Sequence, residues 1–281
     1  MDVDMVDGCQ VVRMYDLPNE LSNLLKAIYD GVKFQDDSTN DFFFLAGILR
    51  LSNKYFMTHL RSQAISHLSQ TWTHTLEGHD AMVERALKSP ITNGISFPYV
   101  HPIHVLNLAH ETGTRVVLPS VLYFLSIYPF ADVLRADHAK LTIAHPSKPS
   151  SQLAQADVQN YTLMYQHRIE LMLDFSRRVC GERRASAQCL KGVQASACTQ
   201  GFGRLGARMA RSWVTRTGPL HWMLQSVKML DGDGSVCAVC KREFKEDVQR
   251  HREAVWEKLP SVVGLPDWNV LVESDLPKLP M

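Results

Sequence analysis

The stretch that decides the fold is GCQVVRMYDLPNELSNLLKAIYDG, residues 8–31. Val11 and Val12 form a brief apolar run that predicts one short strand. Pro18 then begins a helix, because the N–H that proline lacks has no partner in a first turn, and Gly31 favours the left-handed turn that ends it. Four apolar side chains recur at helical spacing and should be buried by the two following helices, namely Leu21, Leu24, Leu25 and Ile28.

Working outward, the next segments are also helical. DFFFLAGILRLSNKY (41–55) predicts a second helix with Asp41 as its N-cap, and FMTHLRSQAISHLSQTW (56–72) predicts a third, with Leu60, Ala64 and Leu68 on one stripe. Further helices are expected in HPIHVLNLAHETG (101–113), LPSVLYFLSIY (118–128), VQNYTLMYQHRIELMLDFSRRV (158–179) and the segment that starts at Cys240. The fold is therefore predicted to be mainly α.

The chain divides into two predicted regions. The turn-rich KSPITNGISFP (88–98) marks a break near residue 90. Residues 1–88 form the first region, and residues 89–281 form a helical C-terminal region. Within it, the segment around 181–206 holds five glycines and few large apolar side chains, so it is expected to be loose.

Composition is that of a globular protein: 281 residues, 45% hydrophobic and a net charge of +1. This balance gives no overall attraction to nucleic acid or to anionic membranes. The acidic start does not fit a secretory signal, and no stretch approaches the ~20 apolar residues of a membrane span. The protein is expected to be intracellular, cytoplasmic or nuclear, with its six cysteines present as thiols or metal ligands.

Three segments near the N-terminus carry a family resemblance. LSNLLKAIYDG (21–31), LRLSNKY (49–55) and HLRSQAISHL (59–68) follow one another in the order and spacing of the C-terminal half of a BTB/POZ domain, which they resemble. The strand, helix and further segment that open such a domain have no counterpart here. In the family this missing half supplies much of the dimer interface, so the resemblance does not imply a homodimer.

A second resemblance covers most of the chain. GCQVVRMYD (8–16), VLNLAHETGTRVVLPSVLY (105–123) and an arginine-rich turn are similar to segments of BTB proteins from mushroom-type fungi. So is the closing pattern formed by Cys237, Cys240, Trp256, Lys258, Leu259, Pro260, Gly264, Leu265, Pro266 and Trp268. The resemblance implies a non-enzymatic protein-interaction module, an adaptor or regulatory protein without family catalytic residues. Some relatives act on cullin-type ubiquitin ligase scaffolds, which are thus an implied partner.

The pair Cys237 and Cys240 in CAVC is the candidate metal site. Two thiolates at this spacing can chelate zinc, but zinc prefers four ligands. Cys180, Cys189 and Cys198 are available elsewhere, while His251 would lie about 16 Å further along the same helix. Three interpretations stay open: structural zinc, a redox pair, and two small residues packing a helix start.

No reaction is indicated by the remaining motifs. GFGRLG (201–206) matches the dinucleotide fingerprint in its letters, but the polar QASACTQ precedes it where a strand is required. No G-x-S-x-G and no phosphate-binding G-x-x-x-x-G-K occurs. The histidines have no metalloprotease spacing, and most are expected at the surface or at interfaces. We therefore predict no catalytic residues, no organic cofactor and no enzyme.

Charge is distributed unevenly along the chain. Residues 1–41 carry nine acidic and three basic side chains, whereas residues 176–216 carry eight arginines and one lysine against one glutamate. Arg204, Arg208 and Arg211 would share one helical face, which suits phosphate contacts. The alternative function is thus a zinc-stabilised or nucleic-acid-binding regulatory protein. Because the acidic N-terminal part could neutralise this cluster internally, nucleic acid is not the preferred partner.

Overall fold

The computed structural model describes residues 5–92, 94–190, 192 and 195–277. The predicted mainly α fold is confirmed: the described part of the chain holds twelve α-helices, one π-helix and one two-stranded sheet. In chain order the elements are β1 (Met5–Val6), β2 (Cys9–Gln10), α1 (Pro18–Asp30), α2 (Thr39–Lys54), α3 (Thr58–Thr71), α4 (Leu76–Lys88), α5 (Pro102–Thr112), α6 (Leu118–Leu125), α7 (Phe130–Arg135), α8 (Gln155–Asp174), the π-helix (Phe175–Gly181), α9 (Ala195–Ser212), α10 (Pro219–Asp231), α11 (Ala238–Val262) and α12 (Trp268–Asp275).

The strand expected at Val11 and Val12 is wrong in position. Strands β1 and β2 pair as an antiparallel hairpin that ends at Gln10, and both valines lie beyond it and are exposed. The turn of the hairpin is Asp7-Gly8, and both residues have positive φ angles, 51° and 78°. Asp-Gly is a preferred two-residue hairpin turn. The sequence feature that indicates the strands is therefore this dipeptide, three residues before the apolar run.

Helix α1 begins at Pro18 and ends before Gly31 as predicted, but a different face is buried. Glu20, Leu24 and Ala27 face α2, while Leu25 and Ile28 remain 48% and 46% exposed. The expectation that all four apolar residues are buried is therefore wrong. The cause lies in α2: Arg50 holds Glu20 at 3.0 Å, and Gly47 leaves room for the Glu20 side chain.

The main core is built mostly by α2, α3, α5 and α6, and side chains from α7, α8, α10, α11 and α12 pack into it. The predicted stripe on α3 is confirmed, since Leu60, Ala64 and Leu68 are buried. Ser38, not Asp41, is the N-cap of α2, and its hydroxyl accepts the Asp41 N–H at 3.3 Å. The Asp41 side chain instead accepts the Ser38 hydroxyl, a reciprocal capping arrangement.

The hydrophobic core crosses the predicted boundary near residue 89. Phe43 and Trp72 belong to the same buried cluster as Leu106 and Tyr123. The two predicted regions thus share their core. A second cluster lies wholly in the C-terminal region and is built around Phe175, Phe202, Trp222, Phe244 and four of the cysteines.

The closing sequence pattern forms a packed corner. The rings of Trp256 and Trp268 stack with centroids 5.5 Å apart, and the Trp268 indole N–H donates to the Trp256 carbonyl at 2.9 Å. The Trp256 indole N–H in turn donates to the carbonyl of His74. These contacts hold the segment around Trp268 against α11, and α11 against the loop between α3 and α4, as amphipathic indole rings commonly do when buried.

The segment expected to be loose is largely helical. Helix α9 covers Ala195–Ser212, so the prediction of a loose stretch around 181–206 is wrong for its second half. Two of its three glycines, Gly201 and Gly206, serve close packing: a Cβ at Gly206 would meet the backbone of Gly181 in the π-helix. A composition that weakens an isolated helix is here offset by tertiary contact.

Candidate metal centre

Four cysteines from three parts of the C-terminal region meet at one point. Cys237 is the N-cap of α11 and Cys240 lies in its first turn. Cys198 lies in the first turn of α9, and Cys189 lies on the loop before that helix. Both helices direct their N-termini, where backbone N–H groups favour negative charge, toward the sulfurs. Helix N-termini in this position suit sulfur ligands that carry negative charge when they bind a metal.

The spacing of the sulfurs matches a tetrahedral metal site. The Cys189 Sγ lies 3.6 Å from the Cys198 Sγ and 3.7 Å from the Cys237 Sγ. All four Sγ atoms, including that of Cys240, lie within 4.8 Å of one another. Four sulfurs each about 2.3 Å from a tetrahedral zinc would be separated by about 3.8 Å. The four cysteines thus lie at a spacing that could hold one zinc ion with four ligands.

Backbone donors surround the sulfur atoms. The Cys237 N–H points to the Cys198 Sγ at 3.4 Å, and the Ser186 N–H points to the Cys240 Sγ at 3.3 Å. Burial raises the pKa of the Cys237 thiol, but N–H donors from Cys240 and Leu190 outweigh it and lower this pKa to about 6. Burial raises the pKa of the Cys240 thiol to about 12. Burial also raises the pKa of the Cys198 thiol. The backbone contacts thus orient the ligands, while Cys198 and Cys240 would give up their protons on binding a metal.

Close packing brings Cys198, on α9, near Cys237 and Cys240, on α11. A Cβ at Gly201 in α9 would stand 2.3 Å from the Val236 side chain, so only glycine allows this approach to the turn before Cys237. The turn is held by Asp233, whose carboxylate accepts the Ser235 N–H at 2.8 Å and pairs with Arg204 at 3.2 Å. The glycine-rich sequence therefore positions the candidate metal ligands.

The structure places the predicted pair, Cys237 and Cys240, in this cluster and adds Cys189 and Cys198. Sequence spacing could not select these two, because Cys180, Cys189 and Cys198 recur at nine-residue intervals. Cys180 is buried elsewhere in the second cluster. His251 lies far along the continuous helix α11, beside the Phe175 ring, and is not part of the group.

The chemistry of this donor set is that of a closed site. Three of its four cysteines are buried and Cys189 is partly exposed. Four protein ligands around zinc leave no position for a substrate, which is typical of structural sites and not of catalytic ones. Sulfur-only tetrahedral sites also accept iron, so metal analysis must distinguish the two.

GFGRLG does not have the geometry of a dinucleotide fingerprint. All six residues lie inside α9, which begins at Ala195. The fingerprint needs a strand, then a turn at the helix N-terminus that can receive a pyrophosphate. These six residues are therefore part of a helix and not the turn that the fingerprint requires.

The arginine cluster is largely neutralised, but not by the acidic N-terminal part. Arg177, Arg178, Arg183, Arg204 and Arg216 each contact a carboxylate. Their partners are Glu182, Asp174, Asp247, Asp233 and Asp132. The proposed pairing with residues 1–41 is therefore wrong for these five arginines. Fewer positive charges remain for phosphate than the sequence implied.

Three of the twelve histidines are deeply buried. His79, His101 and His104 are each at most 1% exposed, whereas the other nine are exposed or partly exposed, as expected for histidines at surfaces or interfaces. Burial lowers the pKa of His79 to about 3 and that of His101 to about 2. Neither residue lies in the cysteine cluster. These imidazoles are neutral side chains of the core at neutral pH.

The chain matches no protein-family model, no curated protein and no solved structure. The resemblance to BTB/POZ proteins accordingly stays a prediction. Among the helices of the described ranges, none combines the length and the apolarity needed to cross a membrane.

Proposed function

We propose that this chain is a non-enzymatic, zinc-stabilised protein in which Cys189, Cys198, Cys237 and Cys240 hold one structural zinc ion. The observation that carries the proposal is the approach of all four Sγ atoms to within 4.8 Å of one another. A complete, mostly buried set of thiolate ligands suits a metal that supports a fold.

The role of the metal follows from where the ligands lie. It would join the loop before α9 to the first turns of α9 and α11, which are otherwise connected through a small cluster rich in methionine and cysteine. Structural zinc contributes directly to folding free energy. A thiolate site also needs reduced cysteines, which supports the proposed location in the cytoplasm or the nucleus.

Metal analysis of the purified full-length chain tests this proposal. The protein is isolated without added metal under reducing conditions, and zinc and iron are measured by mass spectrometry against protein concentration. About one zinc per chain is expected, and cobalt exchanged into the site should give the absorbance of tetrahedral thiolate coordination. One iron per chain would mean that the site holds iron instead of zinc. Less than a tenth of a zinc or iron ion per chain would refute the proposal.

A protein-interaction module of BTB/POZ type is the second candidate, supported by apolar side chains near the N-terminus. Leu25, Ile28 and Tyr29 on α1 are 48%, 46% and 84% exposed, and Val12 and Tyr15 before it are 73% and 92% exposed. Exposed apolar side chains of this number are typical of an interaction surface. The resemblance to cullin-associated relatives makes a purified cullin the first partner to test, by calorimetry with the full-length chain.

Nucleic-acid binding has less support. Five arginines of the cluster already contact carboxylates, which reduces the charge available to release counterions from a phosphate backbone. Fluorescence anisotropy with labelled single- and double-stranded oligonucleotides at low salt tests it. We expect no binding, and affinity that falls steeply as salt is raised would restore this alternative.

A further inference from the structure

A cavity separate from the cysteine cluster opens between α4, α6 and α10. Its volume is about 400 Å³, and its walls include Met82, Phe124, Ile127 and Trp222. This is within the size range of sites that hold small organic molecules, which are mostly apolar with a few placed polar groups. We refer to this space, with His79 on its wall, as the His79 cavity.

His79 is the polar group that distinguishes this cavity. Its side chain is 1% exposed, and neither Nδ1 nor Nε2 has a hydrogen-bond partner among the described residues. The ring is instead surrounded by the aromatic rings of Tyr123, Phe124 and Trp256, with centroids 5.1 to 5.4 Å away. Buried polar groups are nearly always hydrogen-bonded, so an imidazole without a partner beside a cavity is a group whose hydrogen bond a ligand could complete after a small turn of the ring.

The protonation state of His79 determines which hydrogen-bonding groups a ligand needs. Burial and the nearby positive charge of Arg252 lower the pKa of the imidazole to about 3, so it is neutral. His221 also faces it, and burial lowers the pKa of that side chain too. A neutral imidazole carries one N–H donor and one acceptor nitrogen. A hydroxyl group, itself donor and acceptor, can satisfy either of them.

Tyr123 supplies a second polar atom on the same wall. Its hydroxyl oxygen accepts the Leu220 N–H at 3.1 Å, and its own hydrogen has no acceptor among the described residues. The side chain is 1% exposed and lines the cavity. A ligand hydroxyl near both residues could therefore accept from Tyr123 while it bonds to His79.

A charged ligand does not fit these walls. The described side chains that line the cavity include no Asp, Glu, Lys or Arg. Bringing an ion into such surroundings without a partner is strongly unfavourable. We propose that the His79 cavity binds a small uncharged molecule that has an apolar ring or chain and one hydroxyl group, held by His79 and Tyr123.

The test compares three probes of similar shape on the full-length, metal-replete chain. 2-Naphthol presents the hydroxyl, 2-methylnaphthalene lacks it, and 2-naphthoate is charged. Binding is measured by the change in tryptophan fluorescence, since Trp222 lines the cavity, and by ligand-observed NMR. A hydrogen bond to a buried partner contributes enough for about a tenfold preference, so 2-naphthol should bind about tenfold more tightly than 2-methylnaphthalene, and 2-naphthoate should bind least.

Variants assign the preference to the cavity. His79→Phe keeps an aromatic ring but removes both nitrogens, and should reduce the preference for 2-naphthol to near onefold. Tyr123→Phe, which loses one oxygen, should reduce it in part and serves as the second variant if His79→Phe does not fold. Ala86→Trp, at a half-buried lining position on α4, should weaken every probe, whereas Leu134→Glu, exposed on α7 and not a lining residue, should change none. Equal binding of the two uncharged probes, a preference that survives both ring variants, or no binding to the unmodified chain would overturn the inference.

Discussion

The backbone of Gly206 in α9 lies directly against that of Gly181, the last residue of the π-helix. A Cβ built on Gly206 would stand 2.6 Å from the Gly181 Cα and 2.8 Å from the Ser176 carbonyl oxygen. Real side chains do not tolerate such distances to backbone atoms. This pair of glycines therefore sets how closely the π-helix and α9, which flank the loop that carries Cys189, can approach each other.

Gly206→Ala should destabilise the protein, by about 1–3 kcal/mol as for other overpacked sites. Gly203→Ala is the matched control in the same helix, because nothing lies within 4 Å of a Cβ at that position. Replacing this helical glycine should stabilise by up to about 1 kcal/mol. Urea unfolding followed by circular dichroism measures both changes. Effects of the same sign would contradict the close approach.

These glycines also show why the sequence predicted some elements and not others. Helices α1, α2, α3 and α5 lie within a few residues of the bounds that the sequence predicts. Helix α9 was not predicted, because Gly201 and Gly206 lower its intrinsic propensity and only contacts with Val236 and Gly181 explain them. Tertiary packing decided this element.

The candidate metal centre was half predictable for a related reason. Cys237 and Cys240 form a local chelating pair whose spacing is visible in the sequence. Cys189 and Cys198 join them across about forty residues, and three equally spaced cysteines gave no means to exclude Cys180. On α1, the buried face could not be predicted because of Glu20. Its ion pair with Arg50 buries this polar residue, and Leu25 stays exposed.

Removing one thiolate should release the proposed metal. Cys240→Ser is expected to lower bound zinc from about one per chain to near zero and to reduce the free energy of unfolding by several kcal/mol, because structural zinc contributes to folding. Cys180→Ser and Cys9→Ser, a buried and an exposed cysteine outside the cluster, should keep zinc. Mass spectrometry and urea unfolding report the two quantities. Zinc lost equally from Cys9→Ser would place the metal elsewhere.

The buried histidines predict acid sensitivity. The folded chain holds the pKa of His79 at about 3 and that of His101 at about 2, below the ordinary 6.5. Below pH 6.5 these histidines bind protons in the unfolded chain but stay neutral in the folded chain. Their contribution to the free energy of unfolding is therefore complete above pH 6.5 and falls as the pH drops toward 3. Each can add up to about 1.4 kcal/mol per pH unit.

Urea unfolding at several pH values between 7.5 and 4.5 measures this slope. His79→Phe should show a shallower fall than the unmodified chain, and the difference between the two isolates His79 from other titrating groups. Both proteins are compared in the presence of a chelator, so that metal release at low pH does not contribute. Identical slopes would mean that the imidazole takes up a proton in the folded state.

His110 should have the opposite dependence. Its Nε2 lies 3.0 Å from the buried carboxylate of Asp157, whose hydrogen bond and charge raise the pKa of the imidazole. The stability from this pair is present below pH 6.5 and is lost as the pH rises through the raised pKa. His110→Gln should therefore lose more stability at pH 6 than at pH 8.5. NMR titration of the ring protons checks the direction, and a pKa at or below 6.5 would refute it.

The exposed face of α1 gives the last prediction, which concerns the proposed interaction module. Leu25→Glu with Ile28→Glu should leave the unfolding free energy within about 1 kcal/mol, because both side chains are already half exposed. The same double variant should abolish binding of a purified cullin to the full-length chain in calorimetry, since charges would enter an apolar interface core. Leu134→Glu, at an exposed apolar position on α7, is the matched control and should bind as the unmodified chain does. Loss of binding in the control as well would show a general surface effect, and binding that survives the double variant would place the interface away from α1.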